Sequence, residues 1–233
     1  MLATQLQLEL LLADRSVDLR AAASIICNDL GATLEIFRRA GEEAGQEGGQ
    51  ANRVEDCLAS LGTDVWMEAV CGNALERAAI DNAQLAELTA FWEHGRLLAY
   101  ACWLVAGRVE GVCQEQAYLV GLLHEASRLP YLLGWPLPLP AAAGVQRLCA
   151  SASDKAHQPL TGREAIPGFM PGVASKDEAS LLACHWQLPE YLQIAIVAPA
   201  SSRWIDVLDM AHAWLHGGNS ILGKTARAIC SNT

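Results

Sequence analysis

All nine prolines of this 233-residue chain lie between Pro130 and Pro199, so the first 129 residues contain none. Proline removes a backbone donor and clashes with the preceding turn, and a stretch without it can form helix after helix uninterrupted. Apolar residues there recur at helical spacing. Val54, Cys57, Leu58, Leu61 and Val65 form one stripe, and Leu97, Leu98, Ala101, Leu104 and Val105 another. The period returns in Trp204, Val207, Leu208, Ala211 and Leu215, while strand-like alternation is scarce. An all-α chain is expected, with helices over 4–13, 17–28, 31–40, 51–60, 63–77, 83–107, 113–127, 177–186, 189–197 and 203–215.

Gly and polar clusters mark the connections, at GEEAGQEGGQ (41–50), at YLLGWPLPLPAAAG (131–144) and at SASDKAHQPLTGREAIPGFMPG (151–172). The last is long for a structureless link, and reads either as a flap or as the carrier of a short helix. No internal repeat is evident.

Hydrophobic residues make up 52% of the chain and charged ones 18%, enough apolar material for a sizeable core and too little charge for a disordered segment. The net charge of −10 is one-sided: residues 1–120 hold 8 Lys and Arg against 18 Asp and Glu, and residues 121–233 hold 8 against 8. An acidic half repels phosphate backbones and no basic stripe with interleaved aromatics occurs, so direct nucleic-acid binding is not expected. The eight cysteines stand singly, with no CxxC, and the first residues lack the basic start of a secretory signal. Reduced, buried thiols in a cytoplasm are expected. The uncharged run from Leu97 to Gly107 is too short to span a bilayer and the run from Leu129 to Gln146 is broken by four prolines, so no membrane segment is expected.

The usual enzyme signatures GxGxxG, GxxxxGK[ST], GxSxG and HExxH are absent. What remains is a set of histidines and acids: His94 in FWEHG, the dyad His124-Glu125 in GLLHEAS, His185 in ACHW, and His212 with His216 in MAHAWLH. Imidazole and carboxylate groups on neighbouring helices can meet in a bundle and hold a divalent metal. His185, beside Trp186, reads as a core histidine, and His216 as part of a half-buried helix end.

The runs FWEHGRLLAYACWLVAG, QEQAYLVGLLHEASRLPYLL, ASLLACHWQLPEYLQIAI and VLDMAHAW, in this order, resemble the HDOD domain, the regulatory offshoot of the HD phosphohydrolase superfamily. The opening SVDLRAAASIICNDLGATLEIFRRAGEEA and RVEDCLASLG fit the family's first helices, so the resemblance spans about residues 8–216. It implies an HD-like multi-helix bundle in two contiguous lobes, an N-terminal helical lobe over 1–82 and a helical core over 83–233. Matched position by position, His94 and His124 keep the superfamily's histidines and Glu125 stands where the dyad has aspartate. Ser175 and the stretch Val197-Ala198-Pro199 replace further histidines, and His212 stands where aspartate is common.

Two roles for these residues remain open. His94, His124, Glu125 and His212 converge on one metal ion, or they are a vestigial pocket in which His124 and Glu125 bond to neighbouring backbone and pin the helix after Gly121. The resemblance favours the second, with no cofactor and no catalytic residue. It implies a cytoplasmic bacterial signalling or regulatory module that binds an unidentified signalling protein in trans, since the length leaves no room for an attached receiver domain. A small ligand in the vestigial pocket is the other binding mode. The enzymatic alternative is a metal-dependent phosphatase or phosphodiesterase built on the same four residues.

Overall fold

The structure is a computed structural model that describes residues 2–13, 18–45, 51–72, 82–133, 176–197 and 202–216. The described residues form helices α1 (Leu2–Ala13), α2 (Leu19–Ile26), α3 (Leu30–Ala44), α4 (Val54–Leu61), α5 (Thr63–Gly72), α6 (Asn82–Ala106), α7 (Gln114–Leu123), α8 (Leu129–Leu133), α9 (Lys176–His185), α10 (Glu190–Val197) and α11 (Arg203–His216), with a short 3-10 turn over Ala126–Arg128. No strand occurs among them. The all-α expectation holds, and none of these helices is long and apolar enough to cross a membrane. The segments 73–81 and 134–175, including Trp135 and the connection at 151–172, lie outside the described residues.

Helices α1 to α5 pack on one another, while α6 is flanked by α7 and α11, and α10 packs against both α9 and α7. A single apolar cluster runs from Leu8 through Phe37, Trp66, Leu98, Leu123 and Leu192 to Leu208. Capping chemistry fixes the early helix starts. Asp18 accepts from the amides of Arg20 and Ala21 at the head of α2, and Asp29 accepts from the amide of Ala32 at the head of α3.

The C-terminal end of α2 is where the first helices meet the later ones. Its trailing carbonyls, which the helix itself cannot satisfy, take side-chain donors from three elements. The Thr33 hydroxyl donates to Ile26 O, the Tyr118 hydroxyl of α7 to Cys27 O, and the Trp92 indole N–H of α6 to Asn28 O.

Between α6 and α7 the backbones come very close. A Cβ on Gly121 would lie 2.7 Å from Ala99 Cα, and one on Gly95 would lie 3.3 Å from Leu122 O. Two glycines at one crossing allow this approach, and the crossing sets His94 of α6 beside the end of α7.

Several expectations are corrected. The helix expected over 113–127 ends at Leu123, and His124 and Glu125 form a turn before the 3-10 segment. Pro130 then stands in the first turn of α8, where a missing N–H costs nothing. Helix α3 continues through Gly41 to Ala44, because Gly41 faces the Gln187 side chain and leaves room for it; a Cβ there would come within 2.3 Å of Gln187 Cβ. On α6 the buried stripe is Leu98, Ala101, Cys102 and Val105, and Leu97 and Leu104 are exposed. The two leucines are seven residues apart and share a different face, so the helical period was right and its phase was not. Cys57 and Cys102 are buried as expected, but Cys113 is exposed at the head of α7. His185 is exposed as well, because Leu182, Ala183 and Trp186 take the inward positions of α9.

Candidate functional site

Three histidines from three helices meet: His94 of α6, His124 at the C-terminal cap of α7, and His212 of α11. All three are half-buried, and one nitrogen from each lies within 4.8 Å of the other two. The ring centroids are 6.2 Å apart for His94 and His124, 5.8 Å for His94 and His212, and 5.2 Å for His124 and His212. Helix packing explains the meeting, since α6, α7 and α11 contact one another pairwise.

His124 is held by a backbone carbonyl. Its Nδ1 lies 2.9 Å from Gly121 O, and a carbonyl oxygen only accepts, so Nδ1 carries the proton and donates. In the neutral ring the lone pair is then on Nε2, the arrangement by which a backbone carbonyl orients a metal-binding histidine. Nε2 is also 3.9 Å from Glu125 Oε1. Glu125 itself accepts from Arg128 Nη1 at 3.3 Å, and at 3.9 Å it is too far from Nε2 for a hydrogen bond and would pair with His124 only if the ring were protonated.

The donor set suits one cation better than two. In a tetrahedral site with Zn–N bonds of about 2.0 Å, ligand nitrogens stand roughly 3.3 Å apart. The observed separations would close by about 1.5 Å at most, a shift that side-chain rotation supplies. Three imidazoles leave a fourth position open. A bridged pair needs ligands for two ions, and among the described residues no carboxylate joins the histidines in a common ligand group.

His185 is exposed on α9 and is not part of this ligand group. The side chain of His216 and the residue Ser175 lie outside the described positions. The WQLP stretch, which carried part of the resemblance, is a helix stop. Gln187 adopts a φ of 51°, the Leu188 amide donates to Ala183 O and the Gln187 amide to Cys184 O, both at 3.1 Å. This is the paired 6→1 and 5→2 bonding of a left-handed helix terminus, with Leu188 tucked back into the core and Pro189 preventing continuation.

A second concavity was not expected from the sequence. Between α2, the head of α4, α6 and α7 lies a cavity of about 270 Å³ whose walls include Arg20, Arg53, Tyr100, Trp103, Glu115 and Tyr118. These residues come from four separate stretches. The one signal in the sequence is that Tyr100 and Trp103, aromatic residues three apart, fall outside the apolar stripe read along this helix.

The family model of the HDOD domain matches residues 2–200. Among solved structures, the fold is similar to the MmoQ response regulator from Methylococcus capsulatus str. Bath, at 16% identity over 98% of this chain and 91% of that one, with a TM-score of 0.60. A fragment of the same regulator (20–298) aligns at 18% identity over 99% of this chain and 88% of that one, with a TM-score of 0.56. No curated protein matches. The helices, their order and the matched span agree: the chain belongs to the HDOD family, a family of regulatory and signalling modules.

Proposed function

We propose that this chain is a regulatory module that acts by binding a signalling component in trans and does not turn over a substrate. The observation that carries this reading is the composition of the histidine group, where His212 puts a third imidazole beside His94 and His124 and, among the described residues, no carboxylate joins them. A phosphohydrolase that makes hydroxide between two bridged metal ions lacks its bridging ligand in this set. The residues His94, His124, Glu125 and His212 then act as a former metal pocket that now ties α6, α7 and α11 together. The same reading divides the chain at about residue 82 into an N-terminal lobe and a helical core, a division supported by the mutual packing of α1 to α5. It puts the protein in a bacterial cytoplasm, supported by the solitary cysteines and by family membership.

The convergence of three imidazoles favours a second reading, a single-metal phosphatase or phosphodiesterase. His94, His124 and His212 would hold the cation, which supplies Lewis acidity and an activated water when bound.

The full chain, purified without added metal, is analysed for zinc, manganese and iron and assayed against phosphomonoesters and phosphodiesters, beside His124→Ala and His212→Ala. The regulatory reading expects no metal-dependent phosphate release from any of the three. Turnover that needs a stoichiometric metal and disappears in His124→Ala overturns it.

A further inference from the structure

We propose that the cavity between α2, α4, α6 and α7 is a binding site for a small planar anion of the nucleoside monophosphate class. The inference rests on the reading of the chain as a binding module and names what one of its surfaces takes.

Its walls supply two chemistries. One is aromatic: Tyr118 is fixed by its hydroxyl, which donates to Cys27 O at 3.2 Å, and its ring meets Tyr100 edge-on with centroids 5.5 Å apart. Tyr100 and Trp103 line the cavity yet stay 49% and 40% exposed, which leaves aromatic surface for a heterocycle to stack on. The other is cationic. Arg20 and Arg53 both turn to the carboxylate of Glu115, Arg20 at 4.0 Å and Arg53 in direct contact. Two guanidiniums sharing one carboxylate leave that trio with a surplus positive charge, in a chain that holds 26 acids against 16 Lys and Arg. Glu55 also lines the cavity and balances that charge, so the lining as a whole is neutral and an anion would be held by the two guanidinium forks, not by a net positive field. A phosphate has the geometry to replace the Glu115 carboxylate on the guanidinium forks.

Size decides between a small molecule and a macromolecular segment. A cavity of about 270 Å³ takes one ring system with one charged group, at the small end of ligand sites, and cannot seat the face of a helix. None of its residues belongs to the histidine group.

The test titrates the full chain with guanosine and adenosine 5′-monophosphate, followed by calorimetry and tryptophan fluorescence, with guanosine and inorganic phosphate as half-ligands. At least one of the two nucleotides is expected to bind saturably, with each half-ligand about tenfold weaker or more. Trp103→Leu and Arg53→Ala should each weaken binding about tenfold, and Arg20→Ala, at a side chain 79% exposed, should do so without disturbing packing. Glu115→Gln removes the competing carboxylate and should tighten binding severalfold, whereas His124→Ala should leave it unchanged.

The proposal is overturned if neither nucleotide binds saturably up to millimolar concentration, if the cavity variants bind as the wild type does, if Glu115→Gln weakens binding, or if a half-ligand matches the nucleotide. Such a failure leaves the binding-module reading intact, because that reading is judged by phosphate release alone.

Discussion

Gly121 of α7 and Ala99 of α6 are in contact so close that a single added carbon on Gly121 would sit 2.7 Å from Ala99 Cα, 2.8 Å from Leu98 O and 2.9 Å from Ala99 N. All three obstacles are backbone, so no rotamer change relieves them. The same glycine presents its carbonyl to His124 Nδ1, so the crossing that brings the helices together also orients the histidine.

Gly121→Ala should therefore be costly although it adds one methyl group. Overpacking of a closed core costs about 1–3 kcal/mol, and a chain of this size loses roughly 2–4 °C of Tm per kcal/mol. A drop of about 2–12 °C in thermal unfolding is expected, together with a changed His124 imidazole resonance in NMR. A variant as stable as the wild type would mean that α6 and α7 separate without cost.

Gly41 and Gln187 form a second steric pair and allow a sharper experiment. Gln187 holds a left-handed φ of 51°, which suits glycine better, and its Cβ occupies the space a Gly41 side chain would need. Gln187→Gly alone should be neutral or stabilising by up to about 1 kcal/mol. Gly41→Ala alone should destabilise by about 1–3 kcal/mol. In the double variant most of that penalty should vanish, a coupling that urea unfolding of the four proteins measures directly.

The sequence showed the helices because proline is confined to one region and the apolar period is strong. It also showed His94, His124 and His212 as candidates, because each sits in a short stretch resembling a known family. It did not show the phase of α6. Leu97 and Leu104 match a helical repeat as well as Leu98 and Val105 do, and only the neighbours α7 and α11 decide which face is inside. The break at His124 was hidden for a similar reason, since a capped turn that leads into another helix leaves the apolar pattern running on. The cavity was hidden by distance along the chain. Arg20, Arg53 and Glu115 have no local pattern in common, and their meeting is a product of how α2, α4 and α7 pack.

Burial of thiols, Cys27, Cys57 and Cys102 among the described residues, gives the protein a predictable response to alkali. Removal from water pushes all three up to about 12 from an ordinary value of 9.0, with the neighbouring Asp56 carboxylate adding to the effect at Cys57. A raised folded-state pKa means stability that is complete below pH 9 and declines as the pH climbs towards 12, because the unfolded chain gives up these protons first. Each thiol should contribute a slope of up to about 1.4 kcal/mol per pH unit in that window. Urea midpoints at pH 8, 9.5 and 10.5 should fall progressively, and Cys102→Ala, although less stable throughout, should show a shallower fall. At pH 8 in native conditions, iodoacetamide followed by peptide mapping should label the exposed Cys113 well before Cys57 or Cys102. Equal labelling would contradict the burial.

Asp29 performs two tasks with one carboxylate, and their separation is measurable. One oxygen accepts from the Ala32 amide at 3.1 Å and caps α3, and the other accepts from the Thr4 hydroxyl of α1 at 3.0 Å. Both residues are buried, so neither bond is exchanged cheaply for water. Asp29→Ala loses the cap, worth about 0.5–2 kcal/mol, and leaves the Thr4 hydroxyl without this acceptor, for a total of about 2–4 kcal/mol. Thr4→Val removes only the second bond and replaces the hydroxyl with a methyl group of similar size, so its cost should be about 1.5–3 kcal/mol, that of one hydrogen bond to a buried carboxylate, with the α3 cap kept. Hydrogen exchange adds the structural readout. Thr4→Val should raise exchange in α1 while α3 stays protected, and Asp29→Ala should raise it in both. If Thr4→Val leaves the amides of α1 as protected as in the wild type, α1 is held by the packing of Leu8 against the core, and the Asp29 bond contributes little to its position.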